Sequence, residues 1–187
     1  MKQKQFDRGL AFGKEALKRY RALKDYRGIS HAMLQLGKMY HQLRNWPYAS
    51  GYYYETIRTA GRVNDKIHII EGHKQLGKLY LEADRYDSAY QYLRRARTLA
   101  RNENSKSNEM ESNQHLANYF SAVDNLDSSL FYTKEASVLE REIFDNQKSQ
   151  QIATMQMLYE SEKKEQMLSY KEDQIQRQYL AIIGVTI

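Results

Sequence analysis

Apolar residues recur along this chain at helical spacing. Ile29, Met33, Leu36 and Tyr40 step by four, three and four positions, which puts them on one face of an α-helix. No stretch sustains the strict alternation of a strand. The stripe then returns forty residues later: "QLGKMY" at 35–40 and "QLGKLY" at 75–80 differ only at Met39 and Leu79. Sliding the chain by forty aligns three copies without a gap. Leu36, Leu76 and Leu116 coincide, as do Gly37, Gly77 and Ala117, then Tyr40, Tyr80 and Phe120. Further on, Trp46, Tyr86 and Leu126 align, with Ala49, Ala89 and Ser129, and Tyr53, Leu93 and Thr133. Asp25, Asp65 and Ser105 share a slot suited to a helix N-cap.

Each copy reads as helix, tight turn, helix. "NWPYA" at 45–49 separates the two helices of the first copy, and Pro47 fits the first turn of the second helix, where its missing N–H is not needed. "DRYDSA" and "DNLDSS" fill the same place at 84–89 and 124–129. Gly37 and Ala49 are expected where the helices of the hairpin cross, because a larger side chain there would push the backbones apart.

The pattern resembles the tetratricopeptide repeat, whose signature is a bulky residue, L-G-x-x-Y, then A-x-x-x-F and a small residue. The first copy offers Met33, Leu36, Gly37, Tyr40, Ala49, Tyr53 and Thr56; the second His73, Leu76, Gly77, Tyr80, Ala89, Leu93 and Ala96. The third is degraded, with Asn113, Leu116, Ala117, Phe120, Ser129, Thr133 and Ala136. The period is forty rather than thirty-four, and Gly61, Arg101 and Arg141 replace the closing proline. The six extra residues are expected to lengthen the helices around the connection between repeats. The resemblance implies an all-α, right-handed superhelix of antiparallel hairpins.

The two ends depart from the array. "FDRGLAFGKEA" at 6–16 aligns with "YDSAYQYLRRA" at 86–96, which gives Phe6, Gly9, Gly13 and Ala16 second-helix slots. The array therefore starts mid-repeat, and its first helix is expected upstream of Met1. From Ser137 to Gln178 there is no Gly or Pro, so a long helix is expected. Ile143, Phe144, Ile152, Met155, Leu158 and Tyr159 are expected to cover the last repeat, as a cap does in a solenoid. Leu168, Ile175 and Ile182 keep a seven-residue spacing, but Glu165 and Glu172 fall on other core positions. A dimeric coiled coil and a lone solvated helix both stay open. "YLAIIGVTI" at 179–187 is uncharged and shorter than the roughly twenty residues of a membrane span. It reads as a short tail or as the first half of a truncated transmembrane helix.

The domain organisation expected is 1–24 as the second helix of a truncated repeat, 25–64 and 65–104 as repeats, and 105–144 as a degenerate repeat. Residues 145–178 form a capping and juxtamembrane helix, and 179–187 begin a transmembrane helix. Repeats followed by "LYESEKKEQ…IQRQ" and an apolar run resemble a family common in Bacteroidetes. Its members join tetratricopeptide repeats through one transmembrane helix to a histidine kinase or a helix-turn-helix regulator. The resemblance implies a membrane-anchored sensory or interaction domain, with the repeats in the periplasm or, alternatively, the cytoplasm. The rival readings are a soluble cytoplasmic repeat adaptor and a peptide-pheromone-binding repeat regulator.

Composition sharpens this picture at three points. Among 187 residues there are 9 Gly and 1 Pro, which suits helices with short connections. There is no cysteine, which excludes disulfides, thiol catalysis and cysteine metal sites. The net charge of +6 resides wholly in residues 1–28, where nine Lys/Arg face Asp7, Glu15 and Asp25. One basic terminal helix gives no reason to expect nucleic acid as a partner.

Candidate chemistry is sparse. The five histidines, His31, His41, His68, His73 and His115, show no metal-ligand spacing along the sequence. No nucleophile elbow, P-loop or dinucleotide fingerprint is present. No catalytic residue, metal or cofactor is therefore expected. His73 stands in a core slot, and the 16 tyrosines, "GYYYE" at 51–55 among them, read as packing. The candidate binding surface is the concave face made by the first helices, where a protein or peptide would dock. His31, Lys38, His41, Lys74 and Lys78 are its candidate contacts, the lysines as partners for an acidic peptide.

Overall fold

A computed structural model describes the backbone of residues 2–185 and the side chains of residues 6–179. Among these residues there are seven helices and no strand: α1 (Lys2–Ala22), α2 (Tyr26–Gln42), α3 (Trp46–Arg62), α4 (Lys66–Glu82), α5 (Tyr86–Asn102), α6 (Lys106–Ala122) and α7 (Leu126–Val185). Helices α2 to α6 are each 17 residues long and are joined by three-residue connections. The forty-residue repeat is thus two equal halves of twenty.

One turn geometry recurs in every half. Lys24, Arg44, Asn64, Asp84, Asn104 and Asp124 all have φ between 52° and 56°. The N–H of the following residue reaches back five positions, as from Asp25 to Tyr20 (3.0 Å), Asn45 to Tyr40 (2.9 Å) and Arg85 to Tyr80 (2.8 Å). The left-handed residue itself donates three positions back, as Lys24 does to Arg21 (3.1 Å). These two bonds define a Schellman C-cap, normally completed by glycine. Here none of the six is glycine; Asn and Asp tolerate the conformation, whereas Lys24 and Arg44 carry strain there. The next helix starts at once. The Asp25 carboxylate accepts from the N–H groups of Arg27 (3.1 Å) and Gly28 (3.0 Å), and Asp65 accepts from His68 (3.2 Å). The Ser105 side chain makes no such bond.

The chain divides into two compact units, Met1–Arg141 and Glu142–Ile187. The first holds the repeat core. Leu36, Leu76, Leu116, Ala49, Ala89, Tyr53 and Leu93 have no exposed surface, and Ala117 is buried as well. A Cβ on Gly37 would lie 2.6 Å from the Tyr53 ring, and one on Gly77 2.5 Å from the Leu93 side chain. The glycines permit close crossing because the facing residue is large. The third hairpin pairs Ala117 with a smaller, exposed Thr133, and Ser129 Oγ donates to the Ala117 carbonyl at 3.0 Å. Tyr40, Tyr80 and Phe120 are half-buried. Tyr40 stacks on Tyr48 and Tyr52, Tyr80 on Tyr92, and Phe120 on Tyr132. Helix α1 adds Leu17 to the cluster formed with Ile29, Met33 and Leu36.

One expectation about the C-terminal part needs correction, that of its membrane anchoring. Phe144, Ile152, Met155, Leu158 and Tyr159 stand exposed. They belong to one 60-residue helix that begins at Leu126 and holds no Pro and no Gly before Gly184. Among the described residues no helix is long and apolar enough to cross a membrane. This overturns the membrane-anchored, periplasmic placement. Of the apolar run 179–187, residues 186 and 187 and the side chains of 180–183 and 185 lie outside the described residues.

Candidate functional site

The first helices α2, α4 and α6 contact one another in order, and the candidate contacts fall along that seam. Lys38 on α2 reaches Glu71 on α4 at 2.8 Å. Glu71 also holds Lys74 at 2.6 Å. Lys74 continues to Glu111 on α6 and donates to Asn108 Oδ1 at 3.0 Å. A ladder of alternating charge thus ties three neighbouring first helices together. Burial alone would raise the Glu71 carboxyl. The Lys74 charge, with hydrogen bonds from Lys38 and Lys74, overcomes this and lowers it to about 2.

Lys74 is therefore not a free contact for a partner. It is 1% exposed, and its charge is spent within the fold. The reason lies in its slot, which holds Leu34 in the first copy, also buried, and Gln114 in the third. In the first two copies that slot faces the neighbouring first helix; in the third, Gln114 is exposed. A lysine fits there only because two carboxylates and an amide meet its ammonium.

Lys38, His41 and Lys78 converge instead. With Gln42, Arg44, Tyr53, Gln75 and Glu82 they line a pocket of ≈ 360 Å³ between α2 and α4. His41 is buried, with Nδ1 3.2 Å from the Tyr53 hydroxyl and Nε2 3.1 Å from Glu82. Burial, then Glu71 and Glu82, hold the Tyr53 hydroxyl far above its ordinary range, so it stays protonated. Lys78 is 48% exposed and lies 3.9 Å from Glu82; Lys38 is 37% exposed. His31 lies apart from this pocket, exposed, with its ring edge-on to His68 at 5.6 Å. A second hollow of ≈ 600 Å³ is lined by Arg21, Met33, Tyr48, Tyr52 and Arg58, among others, from α1, α2 and α3.

The aromatic residues are mostly occupied with each other. Tyr54 links its hydroxyl to those of Tyr80 (2.7 Å) and Tyr92 (3.0 Å) in the next repeat. His73 stacks on Tyr92, and burial, then Arg95, lower it to about 4. Glu71 and Glu82 are the site residues that sequence reasoning missed as organisers. Their signal was an acid about one period after a basic residue, as in Lys38 and Glu71, His41 and Glu82, and Lys74 and Glu111.

Fold and surface together define a helical-hairpin repeat protein of tetratricopeptide-like kind. Among solved structures, BtubC (BKLC) from P. vanneervenii shares this fold with a TM-score of 0.66 at 19% identity, over 74% of this chain and 58% of that one. The apo form of RapI shares it with a TM-score of 0.54 at 15% identity, over 77% of this chain and 65% of that one. The match thus spans less than two thirds of either structure, and at such identity the likeness concerns the fold. No family model and no curated protein matches the chain.

Proposed function

We propose that this chain is a protein- or peptide-binding scaffold, and that its docking site is the pocket between α2 and α4. The observation that carries the reading is the pocket's charge. Lys38, Lys78 and Arg44 line it together with one carboxylate, Glu82, which His41 already engages; Lys38 is paired with Glu71 but, unlike Lys74, stays 37% exposed. The amide side chains of Gln42 and Gln75 stand at the same wall, suited to the main chain of an extended segment. An acidic peptide fits this chemistry, through charge-assisted hydrogen bonds to the lysines. No enzymatic role is proposed.

The test is fluorescence anisotropy with a labelled peptide rich in Asp and Glu, against a neutral peptide of equal length. Binding should weaken with salt and fall in a Lys38→Ala, Lys78→Ala double variant. Equal affinity of the variant for the acidic peptide would dispose of the pocket reading. Lys74 is left intact in this test, because its removal would disturb the seam.

A second reading concerns the second unit. Met155, Met157, Leu158, Tyr159, Leu168 and Ile175 are all more than half exposed on one polar helix. We infer that a second copy of this chain covers them as a helix pair. Sedimentation equilibrium of the whole chain, compared with a chain ending at residue 141, tests this; a monomer at both lengths refutes it.

A further inference from the structure

We propose that the seam between α2 and α4 holds a surface site for a divalent transition-metal ion of the zinc type, with His31 and His68 as ligands and Asp65 behind them. The site is separate from the docking pocket. His68 Nε2 lies 3.4 Å from His31 Nδ1. Two imidazole nitrogens bound to one tetrahedral zinc ion at about 2.0–2.1 Å stand about 3.3 Å apart. The pair is thus already at the spacing one ion requires, and only ring rotation is needed to aim both lone pairs at it.

The other face of His68 supplies the supporting contact. Its Nδ1 lies 2.8 Å from Asp65 Oδ2, while Asp65 Oδ1 accepts the His68 backbone N–H at 3.2 Å. A carboxylate at Nδ1 keeps the proton there and leaves Nε2 bare. That is the arrangement by which metal-binding histidines are fixed in tautomer and direction. Without metal, His31 Nδ1–H donates to the bare Nε2. With metal, the His31 proton moves to its own Nε2, and no proton is lost.

Among the described residues no group of three or more His, Asp or Glu is placed to hold a metal ion. Two protein nitrogens therefore carry this site, and water completes the shell on the exposed His31 side. The two histidines belong to first helices of successive repeats, so the ion would clamp one repeat to the next. Sequence spacing could not show this, because residues 31 and 68 share no helix.

The experiment is titration of the tag-free whole chain with zinc chloride, followed by calorimetry and by thermal unfolding. One saturable ion per chain and a rise in Tm are expected, since the ion binds the folded state. His31→Ala and His68→Ala should each abolish the saturable step, and Asp65→Asn should weaken it roughly 10-fold or more. Cobalt should give the visible absorption of a tetrahedral centre and lose it in the same variants. Absence of saturable uptake, or uptake that survives either His31→Ala or His68→Ala, overturns the proposal. His31 is exposed, so its replacement leaves the fold to report on the ion alone.

Discussion

Replacing Glu71 by Gln tests the charge ladder at its centre. The side chain is 17% exposed and contacts both Lys38 and Lys74, so solvent screens it little. Its carboxyl is lowered from 4.5 to about 2. At about 1.36 kcal/mol per pH unit, that difference corresponds to about 3 kcal/mol of folding stability. The folded value lies below the unfolded one. The contribution is therefore complete above about pH 4.5 and is lost as pH falls through about 2. At neutral pH, Glu71→Gln should lower Tm by roughly 6–12 °C for a chain of this size. Thermal unfolding followed by far-UV circular dichroism measures it. The gap between variant and parent should close on acidification through that window. Equal Tm at neutral pH, or a gap that persists at the acid end, would refute the argument that Glu71 ties the first helices together.

Two further outcomes probe other parts of the array. His73 is lowered to about 4, so it is neutral when folded and protonates more readily when unfolded. Stability should fall as pH drops from 6.5 towards 4, and His73→Leu should flatten that slope by about 2 kcal/mol after allowance for screening, read from urea unfolding at several pH values. Lys24 holds φ at 54° where glycine is unstrained. Lys24→Gly should raise stability by about 1 kcal/mol in the same assay, and Asn64→Gly by less, because asparagine accepts this conformation.

Most of the repeat was legible, because its packing is local. The helices of one hairpin adjoin in the chain, and their crossing demands Leu, Gly and Ala at fixed steps. Those letters recur as Leu36, Gly37 and Ala49, then Leu76, Gly77 and Ala89, and all are buried. The turns left a fainter mark. Asn64, Asp84, Asn104 and Asp124 stand twenty apart, yet Lys24 and Arg44 in the same slot give no sign of a left-handed turn. The long apolar-studded helix was expected, but its letters do not say what its apolar residues meet. Phe144, Met155 and Leu158 looked like a cap and are exposed, since periodicity reports a face without saying what covers it.

The candidate site divides along the same line. By itself the sequence determined the all-helical class, the forty-residue ruler and the residues that fill each hairpin. These depend on spacing within a helix and between chain neighbours. Only the tertiary structure decided which polar residues face a partner and which face the next repeat. Leu34, Lys74 and Gln114 share one slot, and nothing in the letters says that Lys74 is sealed between Glu71 and Glu111 while Lys78, four residues on, is open. Nor do they say that His31 meets His68, or that His41 meets Glu82. Such contacts join first helices of successive repeats. They depend on how one hairpin rotates against the next, a rigid-body relation that no single helix encodes.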